Sequence, residues 1–302
     1  MVLPYLVPMT ALLTVAGLLL VAAVLVDMFH TLWHPRGFGT GARVVFNATW
    51  RLFRLLPARL NRSGLAGPLG LFFTVVLWTT TLVLGFALAY VPFIPKGFNY
   101  GSSLNVDRSS GFLTAVYVSL VALATLGLGD IVPSEPVLRV LVPLQALVGF
   151  ALLTGAISWV LQLYPALTRR RAVARRLHSL AEVETAGKLS RLEPSVVVML
   201  LEDVRDSLAT IEMDLLQYGE SYYFREDQRE ISVAATLPYV HDLVAGARRS
   251  EAPESRLAAD LLDSGLQRLT ELLEREFLSP ADQGAVLGAF ASDHGHDALR
   301  AG

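Results

Sequence analysis

The segment Thr125-Leu126-Gly127-Leu128-Gly129-Asp130 joins a hydroxyl, two glycines one residue apart and a closing carboxylate. For successive backbone carbonyls to point the same way, alternate residues must take left-handed or otherwise unusual dihedrals, which Gly127 and Gly129 permit cheaply. Rings of such carbonyls can replace the water shell of an ion, and Thr125 adds a hydroxyl. The apolar run 111–124 just before it is too short to cross a bilayer, so it predicts a re-entrant half-helix. Irregular backbone at membrane depth is tolerated only where protein buries it or where it lines a water-filled path. The pattern therefore implies an aqueous pathway.

Three apolar runs must position this loop: Leu6–Met28, Leu69–Val91 and Val137–Leu163, each near the ~20 residues of helix that span a hydrocarbon core. With 53% hydrophobic and 17% charged residues among 302, and a mean hydropathy of +0.48, the composition is that of a membrane protein. The first run lacks a basic leader and is longer than a secretory signal core, so it reads as a retained span. Arg36, Arg43, Arg51, Arg54, Arg59 and Arg62 lie between the first and second runs, and Arg169, Arg170, Arg171, Arg175 and Arg176 follow the third. The positive-inside rule puts both segments in the cytoplasm. The N-terminus and the segment from about Pro92 to Pro136 then lie outside a multi-pass protein of the cell membrane, and everything after Tyr164 lies inside.

Thr125-Leu126-Gly127-Leu128-Gly129-Asp130, followed by Ile131-Val132-Pro133, resembles the selectivity filter and exit of potassium channels, whose consensus is Thr-Val-Gly-Tyr-Gly-Asp. The similarity extends over roughly Leu69 to Tyr164, as outer helix, pore helix, filter and inner helix in order. The resemblance implies that Thr125, Leu126, Gly127, Leu128 and Gly129 form the ion-binding filter, with permeant K+ as cargo and no other cofactor. It implies support from Asp130 and Tyr117, and a gating hinge at Gly149, 19 residues after Asp130. With one filter per chain, the resemblance also implies a homotetramer. Two positions depart from the family: Leu128 replaces a tyrosine whose phenol braces the filter, and Val121 stands where some relatives keep a carboxylate.

The expected fold is an all-α membrane protein with three transmembrane helices, a re-entrant pore helix and filter, and a helical cytoplasmic domain. Its divisions are 1–66 (first span and basic segment), 67–164 (pore module), 165–278 (helical domain) and 279–302 (flexible tail). Helices are expected at Arg169–Leu180, Pro194–Tyr218, Arg229–Ala247 and Pro253–Leu278. Buried stripes are expected at Val196, Leu200, Val204, Leu208, Ile211 and Leu215, and at Leu257, Leu261, Leu262, Leu266, Leu269 and Leu273. Around 43–56, Arg43, Asn47, Arg51 and Arg54 face away from Val45, Thr49, Leu52, Phe53 and Leu56. This suits a helix on the membrane surface, or else one packed on the C-terminal region. Pro143, Gly149 and Gly155 are candidate bending points in the third span.

No arginine-bearing span suggests a voltage sensor, and no Gly-x-Gly-x-x-Gly turn suggests a nucleotide-binding regulatory domain. The helical region is left with an unidentified cytoplasmic ligand or protein, or a purely assembling role. Two histidine clusters, Asp27 with His30 and His34, and Asp293 and His294 with His296 and Asp297, could in principle bind metal. No acid/base pair, activated nucleophile or phosphate loop points to an enzyme. The charge distribution does not suggest nucleic-acid binding; membrane lipids are the natural partners. A potassium channel, a weakly selective cation channel and a non-conducting membrane sensor or scaffold are the readings carried forward.

Overall fold

The computed structural model describes residues 6–34, 38–55, 64–102, 111–278 and 286–297. Arg36, Leu56, Arg59 and Arg62 lie outside them. The chain is an all-α membrane protein whose helices α1 (Leu6–Leu32), α3 (Ala66–Tyr90) and α5 (Pro136–Glu182) are long and apolar enough to cross a membrane. Between them lie α2 (Thr40–Leu55) and the short apolar α4 (Phe112–Leu123). Among the described residues the only sheet is an antiparallel ladder of β1 (Phe98–Tyr100) and β2 (Ile131–Pro133), with Asn99 opposite Val132. Beyond α5 follow α6 (Thr185–Lys188), α7 (Pro194–Gln217), α8 (Val233–Thr236), α9 (Tyr239–Arg248), α10 (Pro253–Glu276) and α11 (Val286–Asp293).

Two compact units result, Met1–Val45 with Leu71–Leu161, and Phe46–Gly70 with Gln162–Gly302. In the first, α1 and α3 cross so closely that a Cβ on Gly17 would stand 2.3 Å from the Gly85 carbonyl oxygen. Small residues at such crossings let backbones approach where burial of leucine gains nothing over lipid. Trp78 is fully buried, lies 5.7 Å from the Trp159 ring and donates its indole N–H to Asp27 Oδ2 at 2.8 Å. Asp27 also accepts from the backbone N–H of Gly41 at 2.7 Å and of Ala42 at 3.3 Å, which caps the start of α2.

In the second unit α7 packs along α10. The buried stripe on α7 is Val197, Leu201, Val204, Leu208, Ile211 and Leu215, so the expected Val196, at 41% exposed, and the half-buried Leu200 fall off it. Repeated four-residue steps advance about 40° each around a helix, whereas alternating three- and four-residue steps hold one face. The same drift puts Leu257 and Leu261 of α10 outside, while Ala258, Leu262, Leu266, Leu269 and Leu273 are buried. Proline occupies the first turn of both helices, where its missing N–H costs nothing.

Three boundaries differ from expectation. The helix expected at Arg169–Leu180 is the unbroken continuation of α5. Arg229–Ala247 is not one helix: a 3-10 turn at Arg229–Ile231 and the short α8 precede α9, with Pro238 unable to continue the backbone ladder. The region read as a flexible tail contains α11, which buries Leu287, Phe290 and Ala291. Apolar residues there are few but large, and they find aromatic partners.

Helix α2 also differs. Its buried stripe is Ala42, Phe46, Thr49, Trp50 and Phe53; of the expected face Val45, Thr49, Leu52, Phe53 and Leu56, Val45 is half-buried, Leu52 is exposed and Leu56 lies outside the described residues. Phe46 lies 5.4 Å from the Tyr223 ring and Trp50 6.0 Å from the Tyr222 ring, so packing on the C-terminal region accounts for this face. The opposite face carries Val44, Leu52 and Leu55, 61%, 56% and 85% exposed, among Arg43 and Arg51.

Candidate ion pathway

Helix α4 ends because its last donors turn back on themselves. Ala124 N–H bonds to Leu120 O at 2.9 Å, Thr125 N–H to Ala122 O at 3.0 Å and Leu126 N–H to Val121 O at 3.0 Å. From there the backbone alternates, with φ of +56° at Thr125, +56° at Gly127 and +78° at Gly129. Glycine takes this region freely, but a β-branched threonine does so only under strain of about 1–3 kcal/mol. Residues 124–129 are exposed, and among the described residues nothing hydrogen-bonds the backbone of Gly127, Leu128 or Gly129. A Cβ on either glycine would meet nothing within 4 Å, so dihedral preference rather than crowding selects glycine there.

The downstream end of the loop is held twice. Asp130 O accepts from Gly101 N–H at 2.8 Å, where the β1–β2 ladder begins. Its carboxylate accepts from the Tyr117 hydroxyl at 2.5 Å, tying the loop exit back to the middle of α4. The two residues expected to support the loop are therefore in direct contact. Leu126 and Leu128 project outward, 62% and 59% exposed.

Gly149 lies inside unbroken helix, and a Cβ there would stand 1.9 Å from Leu123 O at the end of α4. Close packing alone requires glycine at this position. Gly155 likewise abuts Leu32, 2.8 Å from where its Cβ would lie, and Thr154 returns its hydroxyl to Phe150 O at 2.9 Å.

Sequence reasoning missed a buried polar cluster behind the loop. The Tyr90 hydroxyl donates to Gln145 Oε1 at 2.7 Å, and Gln145 Nε2 donates to Ser119 O at 2.9 Å and to Ser119 Oγ at 2.7 Å. Ser119 Oγ in turn donates to Val83 O at 2.9 Å. Tyr90, Ser119 and Gln145 are each fully buried. The available signal was a glutamine in the middle of an apolar span, since polar side chains at that depth are costly and seldom idle. The β1–β2 ladder was also missed, because three-residue strands carry too little alternation to read.

Neither histidine cluster gathers ligands, and no group of three or more metal-ligating side chains is found among the described residues. Asp27 faces α2 and Trp78, while His30 Nδ1 lies 2.8 Å from Val26 O. Asp293 accepts from the Tyr222 hydroxyl at 2.7 Å and from Trp50 Nε1 at 3.1 Å, and pairs with Arg54 at 3.0 Å. His294 is buried between Phe290 O, 3.0 Å from Nδ1, and Tyr222 O, 2.9 Å from Nε2, while His296 Nε2 lies 2.7 Å from Glu226 O. Burial pushes the His294 imidazole down to about 4 and the Arg170 guanidinium down to about 10. Burial, with Asp293 beside it, raises the Tyr222 phenol.

Residues 73–164 match a family model described as "Ion channel". A stretch of 168 residues is 26% identical to "Uncharacterized membrane protein YdjJ" of Bacillus subtilis (strain 168), covering 55% of this chain and 48% of that protein. The chain thus spans about half the length of this relative. No solved structure matches the chain. With its two flanking spans, short apolar helix and glycine-punctuated loop, the segment 73–164 is similar to the two-span, potassium-channel-like ion-channel module.

Proposed function

We propose that the chain is one subunit of a homotetrameric potassium channel of the cell membrane, passing ions passively through a four-fold filter at Thr125, Leu126, Gly127, Leu128 and Gly129. The observation that carries this reading is the alternation of left-handed residues at 125, 127 and 129, which leaves the intervening carbonyls unpaired between two anchored ends. One loop cannot surround an ion, and the resemblance to potassium channels calls for four chains around an axis. Carbonyl rings then replace water around K+, with Asp130 and Tyr117 as the support. The arginines after the first and third spans keep the second unit in the cytoplasm. There it takes an unidentified ligand or protein, and gating acts on the inner helix α5.

A weakly selective cation channel is the second reading. It is favoured by Leu128, whose side chain offers no hydrogen bond to stiffen the loop. Both are tested in liposomes holding the purified chain under potassium and sodium gradients, beside Gly127→Asp. Potassium flux without sodium flux, lost in the variant, is expected. Equal fluxes, lost in the variant, select the second reading, and flux that survives Gly127→Asp rejects both.

A further inference from the structure

We infer that Gln145 is the positioning residue of the pore helix, acting through Ser119 and Tyr90 to fix the filter from behind. This rests on the reading of 125–129 as a filter. The donors and acceptors allow one arrangement only. Ser119 O is a carbonyl and can only accept, so the amide nitrogen of Gln145 must face it and the amide oxygen must face Tyr90. Both amide protons are then used, one on Ser119 O and one on Ser119 Oγ, and the serine hydroxyl is left a single outlet, Val83 O. Every proton runs one way from α3 through α5 and α4 back to α3.

The three side chains are sealed from solvent, so each broken link leaves a buried polar atom unpaired. Ser119 and Tyr117 are two residues apart on α4, about 200° around the helix. One side of α4 is therefore fixed to the spans by Gln145, and the other to the loop exit by the contact of Tyr117 with Asp130. Rotation of α4 would strain both at once, and the carbonyls that begin the filter leave directly from its C-terminal end. Tyr117 and Asp130 hold the front of the filter; Gln145 holds its back.

The test uses the full chain in liposomes and nanodiscs, with Gln145→Leu, Tyr90→Phe and the double variant. Tyr90→Phe, which loses one buried hydrogen bond, should lower the potassium-over-sodium permeability ratio about tenfold, and Gln145→Leu, which loses three, by at least as much. Amide exchange over 112–124 should rise by a similar factor while α1 is unchanged. The double variant should fall no further than Gln145→Leu, because the two residues act as one link. An unchanged exchange rate overturns the inference, and so does faster exchange with an unchanged ratio, which would reduce the cluster to a packing contact. If the unaltered chain passes both ions equally, the potassium reading has failed, and exchange over 112–124 alone decides for or against the brace. Should Gln145→Leu fail to assemble, Tyr90→Phe, which deletes one oxygen, decides the question by the same two readouts.

Discussion

The two units each bury a polar cluster, and the two clusters are built differently. In the first unit Tyr90, Gln145, Ser119 and the Val83 carbonyl form a neutral chain of hydrogen bonds without an ion. In the second, Asp293 collects Tyr222, Trp50 and Arg54, its own carbonyl accepts from Arg225 at 2.6 Å, and the Arg225 guanidinium lies 4.7 Å from the Trp50 ring. An exposed surface can hold charges half in and half out, because solvent relaxes around the exposed partner: Arg54 is 60% exposed, Asp293 13%. Around Gln145 no such relaxation is available, and directional neutral groups satisfy one another there. Placement, not the number of bonds, separates the two solutions.

The largest break should come from Asp293→Ala. It leaves the Tyr222 hydroxyl and the Trp50 indole unpaired and should destabilise the second unit by about 3 kcal/mol in thermal unfolding. Asp293→Asn retains an acceptor oxygen and should recover about half of that; no recovery would mean that charge rather than acceptance is what matters. In the first unit, Gly149→Ala drives a methyl to 1.9 Å from Leu123 O and should cost about 2 kcal/mol, with loss of ion flux. An unaltered flux would show that α4 and α5 part easily.

Acid should separate the units next. His294 titrates well below its ordinary range when folded, so on acidification from about 6.5 towards 4 the unfolded chain binds the proton first. Stability of the second unit is full above about pH 6.5 and falls as pH drops through that window. Gln145 and Ser119 exchange no proton there, so unfolding of the first unit should lack this step. The step should also vanish in His294→Gln, and its persistence would assign it to the carboxylates. The smallest effect concerns the outer face of α2. The chain has no cysteine, so Leu52→Cys takes a single environment-sensitive dye. Its emission should shift to the blue in liposomes containing about 30% anionic lipid, as expected of a basic amphipathic face against headgroups; emission equal to that in water removes lipid as its partner.

The loop was legible because it is local. Gly127 and Gly129 announce their dihedrals, and α4 announces itself by being apolar and short. Thr125 was not foreseen in the left-handed region, since nothing in a threonine advertises strain. Tyr117 and Asp130 were each expected at the loop through the resemblance, but their contact with one another was not foreseen. Gln145 reaches 26 residues back to Ser119 and 55 back to Tyr90, which one sequence cannot pair. Helix α2 misled for a related reason: its apolar residues surround it, and only Tyr222 and Tyr223, far along the chain, decide which side is inside.

Thr125 has one more consequence. Glycine in its place would relieve the strain at φ +56° and delete the only side-chain oxygen between 125 and 129. Such a variant should fold more readily and handle ions less well, an instance of durability set against activity within one residue. Selection for sturdiness alone would discard this threonine, and selection for the traffic of ions would keep it.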